Sequence, residues 1–235
     1  MLNHPTAANL SLENVQIHDQ PCVVSWSGGK DSCLAMYRAI QSGAKIRMLL
    51  NMKIEDGERS RSHGLRSSVI EAQAKAMGVP LMGAATSWSD YENCFVAALS
   101  RLREQGITHG IFGDIDLIEH LEWEQMVCKK ADMLPYLPLW QQDRLPLVRE
   151  FVDAGFEARI VAVRADKLDK KYLGQLLTHQ LLEEFAALGI DPCGENGEYH
   201  SVVTNGPLFE WPLELTVGEQ VLRDGLWFQD FELED

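Results

Sequence analysis

Two short stretches of this chain carry residue types that could do chemistry. The first is Ser25-Trp26-Ser27-Gly28-Gly29-Lys30-Asp31-Ser32. An apolar run, Cys22-Val23-Val24, leads into it, and a helical pattern from Cys33 to Ile40 leads out. Strand, glycine turn and helix start together make an anion cradle. Gly28 and Gly29 let the backbone approach a phosphate with no Cβ in the way. The first N–H groups of the helix and its dipole then favour negative charge. Lys30 adds a positive charge, and Ser27 and Ser32 add hydroxyl donors. Asp31 fits beside a phosphate as a helix cap or as a Mg²⁺ ligand. A bare Gly-Gly turn capped by Asp31 or Ser32 is the plainer reading. The whole string between a strand and a helix favours the phosphate site. It is not the Gly-x-x-x-x-Gly-Lys-Ser/Thr loop, whose spacing residues 24–32 do not fit.

The second stretch is Cys193-Gly194-Glu195-Asn196-Gly197-Glu198-Tyr199-His200-Ser201. Two carboxylates, an imidazole, a phenol and a hydroxyl stand close together. Glu195, Glu198 or His200 could take a proton from an incoming amine, and the carboxylates could hold Mg²⁺. Spacing alone supports equally a hairpin turn at Asn196-Gly197 flanked by exposed polar groups. A third group, His63-Gly64-Leu65-Arg66 with Arg59 and Arg61, could clamp a phosphate or a substrate carboxylate. His109, His120 and His179 stand alone and read as structural or exposed. Trp26 reads as a core residue in preference to an adenine-stacking one.

The elements that would position these groups follow from periodicity. Residues 1–20 form a polar, loosely ordered lead-in. Strands are predicted near 22–26, 46–52, 79–84 and 107–112, with helices at 67–77, 90–105 and 116–131 between and after them. Alternation of this kind predicts a Rossmann-like α/β fold, a parallel sheet with helices on both faces. Ligands in such sheets bind beyond the carboxyl ends of the strands, where Ser27–Ser32 and Gly113–Asp116 fall. After Pro135 and Pro138 the pattern changes. A helix at 141–154, a strand at 159–163, helices within 172–188, a loop-rich segment 189–209 and strands within 219–233 predict a smaller α+β domain. The division is therefore 1–20, 21–140 and 141–235.

The 235 residues carry a formal net charge of −14, half of it in residues 201–235. So acidic a chain argues against broad binding to nucleic acid or anionic membranes. The acidic C-terminal region reads as a solvated surface. The five cysteines include no Cys-x-x-Cys pair. An odd, widely spaced set reads as reduced thiols of a cytoplasmic protein, with no structural zinc or iron–sulfur site. No signal peptide or membrane-spanning run is visible.

Ser-Gly-Gly-Lys-Asp-Ser at 27–32 resembles the PP-loop of the ATP-pyrophosphatase superfamily, enzymes that cleave ATP between the α- and β-phosphates. Cys193–Ser201, followed by Val202-Val203-Thr204-Asn205-Gly206-Pro207-Leu208-Phe209, resembles the C-terminal signature of the diphthine–ammonia ligase family. Gly113-Asp114-Ile115, Pro138-Leu139-Trp140 and Leu173-Gly174 match further elements of that family. The resemblance covers about residues 22–210. It implies a PP-loop domain and a smaller C-terminal domain with ATP between them. Ser25, Ser27, Gly28, Gly29, Lys30, Asp31, Ser32, Gly113 and Asp114 would bind ATP, with Asp31 and Asp114 toward Mg²⁺. Lys30, Asp31, Glu195, Glu198 and His200 would serve catalysis. His63, Arg66, Asn196, Gly197, Tyr199 and Ser201 would meet the acceptor.

The implied reaction adenylates a carboxylate and amidates it with ammonium, releasing pyrophosphate and then AMP. The acceptor would be diphthine on an elongation factor in an archaeon or eukaryote, and otherwise a small-molecule carboxylate. The family often has glycine at the position of Asn196 and glutamate near His200, so the acceptor stays open. Modification of a tRNA base, or ATP/AMP binding without turnover, are the rival functions. A homo-oligomer is compatible with the sequence.

Overall fold

The computed structural model describes residues 15–234. Five strands form a parallel sheet in the order β3-β2-β1-β4-β5, comprising β1 (Pro21–Ser25), β2 (Lys45–Lys53), β3 (Leu81–Ala85), β4 (His109–Ile111) and β5 (Leu134–Tyr136). Helices α1 (Lys30–Gln41), α2 (Ser67–Ala76), α3 (Tyr91–Glu104) and α4 (Ile118–Lys130) connect them. The strand order reverses between β1 and β4. A crevice opens there beyond the strand ends, and the phosphate-loop string follows β1 directly.

Alternation along β1 explains its run of apolar residues. Cys22 and Val24 enter one core with α1 and α2, while Val23 enters the other with Phe95, Leu99 and Val127 of α3 and α4. A strand covered on both faces has no polar side.

The remaining elements are α5 (Arg144–Asp153), β6 (Glu157–Arg164), a 3₁₀ turn at Lys170–Tyr172, α6 (His179–Ala187), β7 (Tyr199–Asn205), β8 (Leu215–Arg223) and β9 (Leu226–Leu233). Their sheet is antiparallel, in the order β7-β6-β9-β8. The first core continues into this sheet through Ile160, Val202, Val203 and Phe231.

Four sequence expectations need correction. Most of the lead-in lies outside the described residues, but Ile17 is buried in the core and Asp19 bonds to Gly43, so residues 15–20 are anchored. Strand β5 was hidden by Pro135, which a three-residue edge strand tolerates because no ladder donor is needed there. The loop-rich segment 189–209 contains β7, whose apolar residues are masked by flanking glycines and prolines. The acidic C-terminal region is not wholly solvated: Asp230 is 17% exposed at its side chain and paired with Arg59 and Arg66.

Candidate active site

The crevice at the ends of β1 and β4 is a cleft of about 500 Å³, within the usual range for ligand sites. Both chemical stretches reach it. Ser25, Ser27, Lys30, Asp31 and Ser32 form one wall, and Gly113 and Asp114 extend it after β4. Cys193, Glu195, Gly197, Tyr199, His200 and Ser201 close it from the C-terminal part of the chain.

The loop after β1 needs its glycines. Gly28 has φ of +84°, and a Cβ there would lie 2.6 Å from Ile70 Cδ1. A Cβ on Gly113 would lie 2.8 Å from backbone atoms of Asp31 and Ser32, so only glycine lets the turn after β4 rest on the start of α1. The first-turn N–H groups of a helix have no acceptors within the helix. That of Lys30 is taken by Ser201 Oγ at 3.2 Å.

Lys30 is 4% exposed. Its Nζ donates to Asp31 Oδ2 at 2.8 Å and to the carbonyl of Cys193, and it lies 5.1 Å from the centre of the Tyr199 ring. Burial works against its charge and is the largest single influence, but Asp31 together with Tyr199, Cys193 and Glu195 outweighs it and holds the pKa above the usual lysine range. Tyr199 is itself fixed, donating to the Pro192 carbonyl at 2.6 Å.

Glu195 is half-buried. Burial, then repulsion from Asp31, pushes its pKa up to about 7, with Asp114 adding in the same direction. A carboxyl at that value can exchange protons at neutral pH. His63 Nδ1 lies 2.9 Å from the Ser201 carbonyl, and the His63 and His200 rings are 4.7 Å apart. Burial lowers both, His63 to about 4 and His200 to about 3, so the pair is neutral at physiological pH.

Three expected residues sit elsewhere than the sequence suggested. Arg66 does not reach the cleft. It pairs with Asp230 and with Glu232, beside a separate hollow of about 610 Å³ between the 59–66 loop and β8–β9. Glu198 is buried, and its carboxylate accepts the N–H and side-chain amide of Asn196, both at 3.1 Å. These two residues hold the turn before β7 and do not line the cleft. Trp26 is in the core, as expected.

Other residues arrive that spacing did not single out. His120 Nδ1 lies 2.6 Å from Asp114 Oδ1, which raises the His120 pKa. As an isolated histidine in the sequence, His120 is expected to be structural or exposed. It is exposed, but to the cleft. Glu124, one helical turn on, is buried behind Asp114, and burial raises its pKa far above the usual carboxylate range. An i, i+4 pair of this kind on α4 was the available signal. Trp88, Tyr91 and Trp123 form an aromatic wall, with successive centroids 5.5 and 5.7 Å apart.

Among the described residues no three His, Cys, Asp or Glu side chains form a metal cage. Mg²⁺ does not need one, since it is usually held by one or two carboxylates plus phosphates and water. Asp31 and Asp114 both repel the Glu195 carboxylate, and a hard cation held by them would relieve that repulsion. The donor set therefore fits.

Fold and cleft define a Rossmann-like α/β protein of the PP-loop class, with a C-terminal antiparallel sheet completing the site. Family models described as diphthamide synthase N-terminal domain and diphthamide synthase C-terminal domain match residues 21–135 and 143–231. A diphthine–ammonia ligase of Rattus norvegicus is 30% identical over 223 residues, covering 84% of this chain and 83% of the relative. One of Homo sapiens is 27% identical, covering 89% and 91%. The chain belongs to the diphthine–ammonia ligase family and is an ATP-dependent ligase of that family. A solved structure titled as a predicted subunit of tRNA methyltransferase from Methanocaldococcus jannaschii aligns with 17% identity and a TM-score of 0.40, over 74% of this chain and 90% of that one. No helix among the described residues is long and apolar enough to cross a membrane.

Proposed function

We propose that this enzyme amidates a carboxylate by way of an acyl-adenylate, with diphthine on an elongation factor as the acceptor. The observation that carries this is the meeting, in one cleft, of a phosphate loop and a carboxyl poised near neutrality. A carboxylate is a poor electrophile and must be activated. Its oxygen attacks the α-phosphorus of ATP, the α–β bridging bond breaks, and pyrophosphate leaves. Ammonia then attacks the acyl carbon, the carbon–oxygen bond to AMP breaks, and the amide forms.

Residues 21–140 hold the nucleotide in this reading, and residues 141–235 supply the acceptor side. The loop amides, Ser27 and Ser32 receive the β- and γ-phosphates. Lys30 offsets charge on the departing pyrophosphate. Asp31 and Asp114 would hold Mg²⁺, which when bound supplies charge neutralisation to the phosphates. Glu195 takes a proton from ammonium. The neutral imidazoles of His63 and His200 orient the acceptor without repelling an incoming cation. Five unpaired cysteines support a reducing, cytoplasmic setting.

The test is incubation with ATP, Mg²⁺, ammonium and an elongation factor carrying diphthine. AMP and pyrophosphate should form in equal amounts with amide. ADP and inorganic phosphate in their place would exclude the mechanism.

A further inference from the structure

Gln73 is fully buried on α2, behind the phosphate loop and outside the cleft. Its Oε1 accepts the indole N–H of Trp26 at 2.9 Å. Its Nε2 donates to the carbonyl of Gly28 at 2.9 Å and to that of Val203 at 2.7 Å. An indole N–H only donates, so the Trp26 bond decides which way round the amide sits. The Gly28 carbonyl takes a second bond from the Val203 N–H at 3.0 Å.

This arrangement has a consequence for the neighbouring donor. A trans peptide is planar, and its N–H points opposite to its C=O. With the Gly28 carbonyl held against Gln73 and β7, the Gly29 N–H turns the other way, toward Ser27 Oγ at 3.3 Å on the cleft wall. The opposite orientation would aim a carbonyl oxygen at the place an anion must occupy. Two successive glycines offer little steric resistance to such a flip. The restraint has to come from outside the loop.

We propose that Gln73 is a positioning residue that holds the Gly28–Gly29 peptide with its N–H toward the polyphosphate of ATP, and that Trp26 fixes Gln73 for this task. The proposal rests on the reading that the loop binds the phosphates of ATP. The same amide ties the loop to β7, the strand that carries His200 and Ser201. The Gln73 amide thereby joins the loop to the acceptor side, beside the Val203 N–H and the Ser201 hydroxyl.

The test compares Gln73→Glu, Gln73→Leu and Trp26→Phe with the native protein. Gln73→Glu keeps the shape and the acceptor for Trp26 but offers at most one donor in place of two, the proton that a buried carboxyl retains, whereas Gln73→Leu has none. Trp26→Phe frees the amide to turn and keeps a large ring in the core. Calorimetry with inorganic pyrophosphate and with ATP reads the cradle directly, and steady-state kinetics separates the substrates. Pyrophosphate affinity should fall about tenfold in Gln73→Leu and by up to that factor in Gln73→Glu, with KM for ATP rising in step, as expected for a lost buried hydrogen bond. KM for ammonium should stay within about twofold. Thermal melting identifies the variants that remain folded. A folded Gln73→Leu or Trp26→Phe protein with native pyrophosphate affinity would overturn the proposal. So would a KM for ammonium that rises in step with that for ATP, because it would mark general loosening. Native protein that binds neither ATP nor pyrophosphate would instead remove the ligase reading.

Discussion

The hydroxyl of Ser201 accepts the backbone N–H of Lys30 at 3.2 Å, across 171 residues of chain. The first turn of α1 is thus capped from β7, and the phosphate loop is completed by the acceptor-side strand. No residue of the loop itself provides this cap; Gly29 stands at the N-cap position with no side chain to offer. Ser201→Ala would leave a buried donor unpaired. The expected cost is about 1–3 kcal/mol, read as a lower melting temperature together with a higher KM for ATP. Ser201→Thr keeps the oxygen and should recover most of the affinity.

Glu195 sets a pH dependence. Burial and the nearby carboxylates raise its pKa to about 7, so its basic form accumulates as pH rises through that value. At saturating ammonium, kcat should climb between about pH 6 and 8 and then level. Glu195→Gln should remove that limb and lower kcat at pH 8 by about 10²–10⁴, the usual range for a general base. A Gln variant with an unchanged pH profile would take Glu195 out of the proton transfer.

The histidine pair acts on stability. His63 and His200 titrate near 4 and 3 in the folded protein, mainly through burial, against an ordinary value of 6.5. Between pH 6.5 and about 4 the unfolded chain therefore binds protons that the native pair refuses. Stability must fall as pH drops through this window. Melting temperatures recorded from pH 7 to 5 should decline more steeply for the native protein than for His63→Gln.

Arg66 and Asp230 should behave as a structural pair. Burial works against the charge of Asp230, but hydrogen bonds from Arg66 and Arg59 outweigh it and hold the carboxyl below its usual range. Asp230→Ala should lower stability by about 1.5–3 kcal/mol, as for hydrogen bonds to a charged group. KM for ATP should be unaffected, since neither residue lines the cleft. A large rise in that KM in either Asp230→Ala or Arg66→Ala would return Arg66 to the substrate site.

Local sequence carried the loop and the alternation of the first sheet. Ser27–Ser32 is legible because a phosphate cradle is made of consecutive backbone N–H groups, and its glycines and charge must be adjacent in the chain. The β1–α4 order is legible because strands buried on both faces and amphipathic helices leave different apolar periods. Strand β7 and β5 were hidden where glycine and proline break those periods.

The tertiary structure decided what the carboxylates and cations do. Asp230 lies 164 residues from Arg66, and nothing local tells that their charges cancel. Glu195 and Glu198 look equivalent in sequence, yet one faces Asp31 across the cleft and the other folds onto Asn196. His120 and Glu124 acquire meaning only because the turn after β4 brings Asp114 to them. Charge, burial and proton affinity depend on neighbours in space. Types and spacing name the chemistry available, while packing of the second sheet onto the first selects which groups can perform it.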